Sequence, residues 1–270
     1  MPQTLASKLS LFGLPIKTAM ERVSAAGFDG IEVLLTNRFR NYTRRCQYFA
    51  RELGLTLHFH QAWSPDEDPT DWKFKLLELV GYLPRSGYLL SENVPYHLYN
   101  YNVPTVIQAD RLKEFYRLEN INGNLWFQTD SSWNNYTNEL KLAFPRFIQL
   151  VNEYNVPVVF DTQHYLEYRL GKFRNLSAIP TDKTTMIKLL EEGWDMLGKH
   201  VQEIHLNDWT PNERNVLTGT GIAPLKEFCE MIKSSSWDGC VVPEISPRIP
   251  ISHSLDTLKR LRKKVESYFV

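Results

Sequence analysis

Residues 156–161 read VPVVFD, and residues 239–244 read GCVVPE. Each is a short apolar run that closes on a carboxylate. A strand with one face in water alternates apolar and polar residues. A run without that alternation fits a parallel strand covered on both faces.

Similar runs recur along the chain. Strands are predicted over Leu5–Leu11, Gly30–Leu35, Leu55–His60, Pro95–Tyr99, Asn124–Thr129, Val156–Asp161, Val201–Leu206 and Gly239–Glu244. Helical patterns lie between them. Pro224 suits the first position of a helix, and Leu225, Phe228, Cys229 and Ile232 follow at helical spacing. Ser252 or Ser254 suits the cap of a last helix carrying Leu255, Leu258, Leu261 and Val265. Strand–helix alternation repeated in this way predicts an α/β fold, a (β/α)8 TIM barrel, with residues 1–270 as a single domain. The fourth unit, within Leu83–Thr105, has no clear period. The alternative is an open doubly wound sheet, which would want a glycine-rich dinucleotide turn. Gly219-Thr-Gly221 lacks the third glycine at the required spacing.

Hydrophobic residues make up 43% of the chain and charged residues 23%, the composition of a soluble globular protein. Lysine plus arginine and aspartate plus glutamate each number 31, so the formal net charge is zero. A nucleic-acid-binding protein carries a basic excess, so no nucleic-acid partner is expected. The first residues lack a signal-peptide pattern, and no apolar run reaches the ~20 residues of a membrane helix. The cysteines are Cys46, Cys229 and Cys240. Three is an odd number without metal spacing, which fits reduced thiols in a cytoplasmic protein. A homo-oligomer stays open.

In a parallel barrel the site forms where strands end. The predicted strand ends here carry His60, Gln128, Asp161, His205 and Glu244, with His164 three residues after Asp161 and His97 in the fourth unit. Carboxylates and imidazoles converging at one barrel end point to a divalent metal: Mn²⁺, Mg²⁺, Zn²⁺, Co²⁺ or Fe²⁺. Taken singly, a strand-end His or Asp is usually a hydrogen-bonded loop anchor; it is their joint appearance at corresponding positions of several units that points to a site. Glu244 is different, because it closes a buried strand, and a buried carboxylate is costly unless paired or metal-bound.

Five stretches in order, AGFDGIEVLL, VVFDTQH, IHLND, GTGIAPLKEF and WDGCVVPEI, together resemble the xylose isomerase-like TIM-barrel superfamily. The resemblance implies sugar-phosphate isomerase or epimerase chemistry, hydroxypyruvate isomerase-like chemistry, dehydration or apurinic-site phosphodiester hydrolysis. In the sugar-isomerase branch it implies one divalent metal held by Asp161, His205 and Glu244, with His164 on substrate. It also places Gln128, in LWFQTDSSW, where the family has a glutamate. Glutamine offers an amide oxygen to a metal but takes no proton at neutral pH. Glu244 is then the remaining base, which favours isomerase or lyase chemistry through an enediolate over two-base epimerisation. Asp130, two residues on, is a possible substitute for the missing carboxylate. A barrel that binds a ligand or partner without turnover is the alternative. The nuclease branch would want Asp-Arg-His where this chain has Glu213, Arg214 and Asn215.

Further candidates surround that set. His60 and His97 are candidate substrate contacts. Trp63, Trp133 and Trp209 follow predicted strand ends and would ring the mouth, as suits a sugar or sugar phosphate; packing loops onto the rim is their other reading. Asp208 would orient His205 or bind substrate hydroxyls, and Arg214 would clamp an anionic or carbonyl oxygen; a surface salt bridge is the alternative for both. Gly219 and Gly221 would admit a phosphate at a helix start or simply form a turn. The loop after the sixth strand carries Arg169, Lys172 and Arg174, a basic lid or a solvated surface.

Overall fold

The structure is a computed structural model that describes residues 1–7, 14–35, 40–61, 105–108, 125–129, 144–170, 182–245 and 254–270. Its barrel strands are β1 (Gln3–Ser7), β2 (Gly30–Leu35), β3 (Thr56–Gln61), β4 (Thr105–Gln108), β5 (Leu125–Gln128), β6 (Val158–Asp161), β7 (Val201–Asn207) and β8 (Cys240–Glu244). They pair in parallel in sequence order, and β1 closes on β8. The open doubly wound sheet is therefore set aside.

The fourth strand departs from expectation. Pro95–Tyr99 lies outside the described residues, and the place between β3 and β5 is held by Thr105–Gln108. The sequence TVIQ is β-branched at three of its four positions, yet four residues are too few for a period to show. β1 begins at Gln3, two residues before the expected Leu5.

Helices α1 (Ile16–Ala26), α2 (Arg40–Leu53), α3 (Phe144–Tyr154), α4 (Thr162–Arg169), α5 (Lys183–Leu197), α6 (Leu225–Lys233) and α7 (Leu255–Glu266) follow the strands. The last two match the sequence reading closely. Pro224 is the N-cap of α6, whose Leu225, Phe228, Cys229 and Ile232 are buried. The Ser254 side chain caps α7 by accepting the Thr257 N–H at 3.1 Å, and Leu258, Leu261 and Val265 are buried. All three cysteines are buried thiols outside any disulfide.

Strand side chains alternate across the barrel wall. Ile31, Val33, Leu57, Phe59, Phe127, Phe160, Ile204, Leu206 and Val241 join one large apolar core with the helices. Leu5, Cys240 and Val242 form a separate small cluster. Many of the positions that face the other way are polar: Glu32, His58, His60, Gln128, Asp161, Glu203, His205 and Asn207 are all buried. This wall, apolar on one face and polar on the other, assembles the site.

Candidate metal centre

Register brings the site together. Asp161 on β6 pairs with His205 on β7, and Asn207 pairs with Glu244 on β8. Two threonines stitch the strand ends. The Asp161 N–H donates to Thr129 Oγ1 at 2.9 Å, and Thr162 Oγ1 donates to the His205 carbonyl at 3.1 Å.

The fully buried His205 imidazole is the hub. Its Nε2 lies 2.9 Å from Glu203 Oε1 and 3.1 Å from Glu32 Oε2. Its Nδ1 lies 3.4 Å from Gln128 Nε2, 3.5 Å from Glu244 Oε1 and 3.7 Å from Asp161 Oδ2. The His60 ring stacks on it with centroids 5.5 Å apart, and His60 Nε2 is 2.9 Å from Gln128 Oε1. Asp161 is held on three sides: Oδ2 accepts from Gln128 Nε2 at 3.0 Å and Asn207 Nδ2 at 2.8 Å, while Oδ1 accepts the His164 N–H at 2.8 Å and caps α4.

Burial and charge oppose one another here. Burial drives the Glu32 carboxyl above its ordinary value, against the pull of His205 and His60. For Asp161 burial acts in the same sense, but His164 and His205 override it and hold the carboxyl well below the usual carboxylate range. Glu203 is likewise held low by His58 and His205. Burial would lower both histidines, yet Glu203 pushes His58 up to about 10. Glu32, Asp161 and Glu203 raise His205 well above its ordinary value.

Four buried carboxylates, Glu32, Asp161, Glu203 and Glu244, therefore crowd around His58, His60 and His205. An excess of carboxylate with imidazole beside it is a donor set that a divalent cation satisfies. Glu32, His60, His205 and Glu244 each offer an atom, all within 4.8 Å of one another. Asp161 and the Gln128 amide adjoin on the Nδ1 side of His205. The residues fit a mononuclear cation site.

A family model described as a xylose isomerase-like TIM barrel matches residues 118–263, more than half of the chain. The chain belongs to that family. A search of curated proteins returns no significant sequence match. Among solved structures, a D-tagatose 3-epimerase-like protein superposes with TM-score 0.60 at 13% identity, over 99% of this chain and 100% of that one. The D-allulose 3-epimerase from Methylomonas sp., in complex with D-allulose, gives 0.60 at 14%, over 99% and 97%. An L-ribulose 3-epimerase gives 0.59 at 11%, over 100% and 95%. At these identities the likeness is one of fold.

Within this xylose isomerase-like barrel, the structure brings Gln128, Asp161, His205 and Glu244 together. It adds Glu32 and His60 from the opposite wall, so His60, expected as a substrate contact, sits among the candidate ligands. His164, on the first turn of α4, lies beside the cluster with Nδ1 3.9 Å from Asp161 Oδ2 and its side chain 29% exposed. Asn215 bridges the site, donating to Asn207 Oδ1 at 2.9 Å and Glu244 Oε2 at 3.2 Å.

The structure engages three outer candidates, Asp208, Trp209 and Arg214, elsewhere. Asp208 faces its own loop: its carboxylate accepts the N–H groups of Trp209, Gly219, Gly221 and Ala223 at 2.8–3.1 Å. Gly221 must be glycine for this, since a Cβ there would lie 2.2 Å from Asp208 Oδ1, and Gly219 has the left-handed φ of 86°. The two glycines thus wrap a carboxylate of the protein itself. Trp209 is fully buried in the core and does not ring the mouth. Arg214 pairs with the buried Glu167 of α4, tying the short hairpin of Trp209–Thr210 and Glu213–Arg214 to that helix. Arg169, expected on a lid, binds Glu192 and the Tyr165 hydroxyl. His97, Trp63, Trp133, Asp130, Lys172 and Arg174 lie outside the described residues.

Sequence reasoning missed Glu32, His58, Glu203 and Asn207. The signal was period two: Glu203, His205 and Asn207 share one face of β7, and His58 and His60 one face of β3.

Proposed function

We propose that this chain is a divalent-metal-dependent isomerase, or a related lyase, acting on a small sugar or hydroxy-keto substrate. The observation that carries the reading is the junction of Asp161, His205 Nδ1 and Glu244 at the end of three adjacent strands. Those three residues would hold the metal, and Gln128, whose amide oxygen is bonded to His60 and whose N–H faces Asp161, would add a weaker fourth donor only with its amide turned over. A divalent cation bound there would stabilise negative charge developing on adjacent substrate oxygens.

The protein's own groups account for the proton transfers. Glu244 accepts a proton from the carbon beside the substrate carbonyl; the electron pair of that C–H bond becomes the carbon–carbon double bond while the carbonyl π pair moves to the oxygen, giving an enediolate. The same carboxyl returns the proton to the former carbonyl carbon while the hydroxyl proton passes from the neighbouring oxygen to the former carbonyl oxygen, so one carbon base suffices for a 1,2-isomerisation. Asn215 orients Glu244 through its 3.2 Å bond. His164 offers an imidazole to a substrate hydroxyl. Gln128 holds Asp161 in place and takes no proton, which disfavours a second base on the opposite face.

Metal content after chelator-free purification tests the reading. Wild type should carry stoichiometric divalent metal and Glu244→Ala should lose it; aldoses and ketoses incubated with wild type in D₂O should exchange a carbon-bound proton. A protein that takes up no metal, even from Mn²⁺ or Zn²⁺, would overturn it.

One observation favours a second reading, a barrel that binds ligand without turnover. The Gln128 amide N–H donates to Asp161 and so meets part of that carboxylate's need for a positive partner. This reading predicts ligand binding without metal and no proton exchange. Phosphodiester hydrolysis is less favoured, because Asn215 is bonded to Asn207 and Glu244 and is a poor zinc ligand.

A further inference from the structure

Behind His205, on its Nε2 side, lies a polar pair that the proposed reaction does not use. Glu203, fully buried on β7, has Oε1 on His205 Nε2 at 2.9 Å and Oε2 on His58 Nδ1 of β3. The His58 ring sits edge-on to Trp126, with centroids 4.8 Å apart. Barrel interiors are ordinarily filled by branched apolar side chains. A buried ion pair contributes no more stability than apolar residues of the same volume. The pair therefore calls for a role other than stability.

We propose that Glu203, braced by His58, is the positioning residue of His205: it accepts the Nε2–H bond and thereby turns Nδ1 toward Asp161 and Glu244. Glu203 is anchored at both oxygens, so its location does not depend on His205 alone. A ring nitrogen bonded to a carboxylate keeps its proton, and the opposite nitrogen is then the one free to meet a metal. A half-turn of the ring about its Cβ–Cγ bond would place carbon against Glu203 and carbon against Asp161, leaving both buried carboxylates without that partner. Glu32, at 3.1 Å from Nε2, reinforces the same orientation from β2.

The test is the paired substitution His58→Leu with Glu203→Leu, which replaces the buried pair by apolar volume. A merely structural pair predicts altered stability and unchanged metal binding. We expect the reverse: the metal-free unfolding midpoint holds or rises, while Mn²⁺ affinity measured by calorimetry falls about 10–100-fold. Metal-free protein supplies an independent readout, because wild type should show a protected, low-field His205 Nε2–H proton resonance, assigned by its loss in His205→Asn. That resonance should move upfield and lose protection in the paired variant, where Glu32 alone still faces Nε2, and move upfield in Glu203→Gln, which keeps the shape and loses the charge. Unchanged affinity with an unchanged resonance would overturn the proposal, as would absence of the resonance from wild type. The affinity arm rests on the metal-site reading. If wild type binds no metal, that reading fails, and the resonance alone decides the positioning of His205.

Discussion

Gln128 Nε2 lies 3.0 Å from Asp161 Oδ2, so an uncharged donor sits where the family pattern would set two carboxylates side by side. Gln128→Glu would put two acceptors in that contact, within a buried site. An unsatisfied buried group costs about 1–3 kcal/mol, more when charged. Metal-free Gln128→Glu should therefore unfold at lower urea than wild type. A divalent cation should reverse the order, since the added charge strengthens the donor set. Urea midpoints with chelator and with saturating Mn²⁺ measure both effects.

Glu167 is wholly buried on α4, and its Oε1 accepts from Gln163 at 2.8 Å as well as from Arg214. Arg214→Ala would strip the charge partner from a buried carboxylate. Breaking a fully buried pair costs about 3–5 kcal/mol; the Arg214 side chain is 31% exposed, so roughly 2 kcal/mol is expected after allowing for solvent screening. Adding Glu167→Gln should recover much of the loss. Denaturant unfolding of the single and double variants checks this. A loss that Glu167→Gln does not relieve would place the effect elsewhere in the hairpin.

The barrel was legible because VPVVFD and GCVVPE have no polar face, which only a doubly covered strand tolerates. The fourth strand was not legible, since TVIQ is too short to carry a period. At the site, strand-end position found Gln128, Asp161, His205 and Glu244 but passed over Glu32, His58 and Glu203, which lie earlier in their strands. Period two within β7 carried that information, because an interior face marked by His205 must also hold Glu203. Asp208 misled for a physical reason. A carboxylate beside a site and one that gathers backbone N–H groups look alike in sequence, and only the path of the loop separates them.

Asp208→Ala should act on stability ahead of chemistry. The carboxylate accepts four backbone N–H bonds, and bonds to a charged acceptor contribute about 1.5–3 kcal/mol each without adding fully. A loss of about 3 kcal/mol or more is expected. Gly221→Ala should damage the same loop by pushing a methyl into Asp208 Oδ1 and the Trp209 carbonyl, at 2.2 and 2.4 Å. Because both substitutions break one unit, the double variant should fall well short of the summed losses. Additive losses, read from denaturant midpoints, would contradict a single carboxylate-centred loop.

The ionic layer also sets how stability responds to pH in metal-free protein. The folded pKa of His58 is raised to about 10 and that of His205 is raised too. Their contribution is full below the ordinary histidine value of about 6.5 and is lost as pH climbs through the folded values. Asp161 and Glu203 are depressed, so theirs is present above the ordinary carboxylate range and lost as pH falls below it. Glu32, raised by burial, opposes them, because ionising it in the folded barrel is disfavoured above its ordinary range. Stability should therefore fall on the alkaline side by about 1.4 kcal/mol per pH unit for each proton released. Urea unfolding with chelator, from neutral pH to about 10, should show this slope in wild type and a shallower one in the His58→Leu, Glu203→Leu variant. Equal slopes would mean that the pair does not hold its proton in the folded barrel.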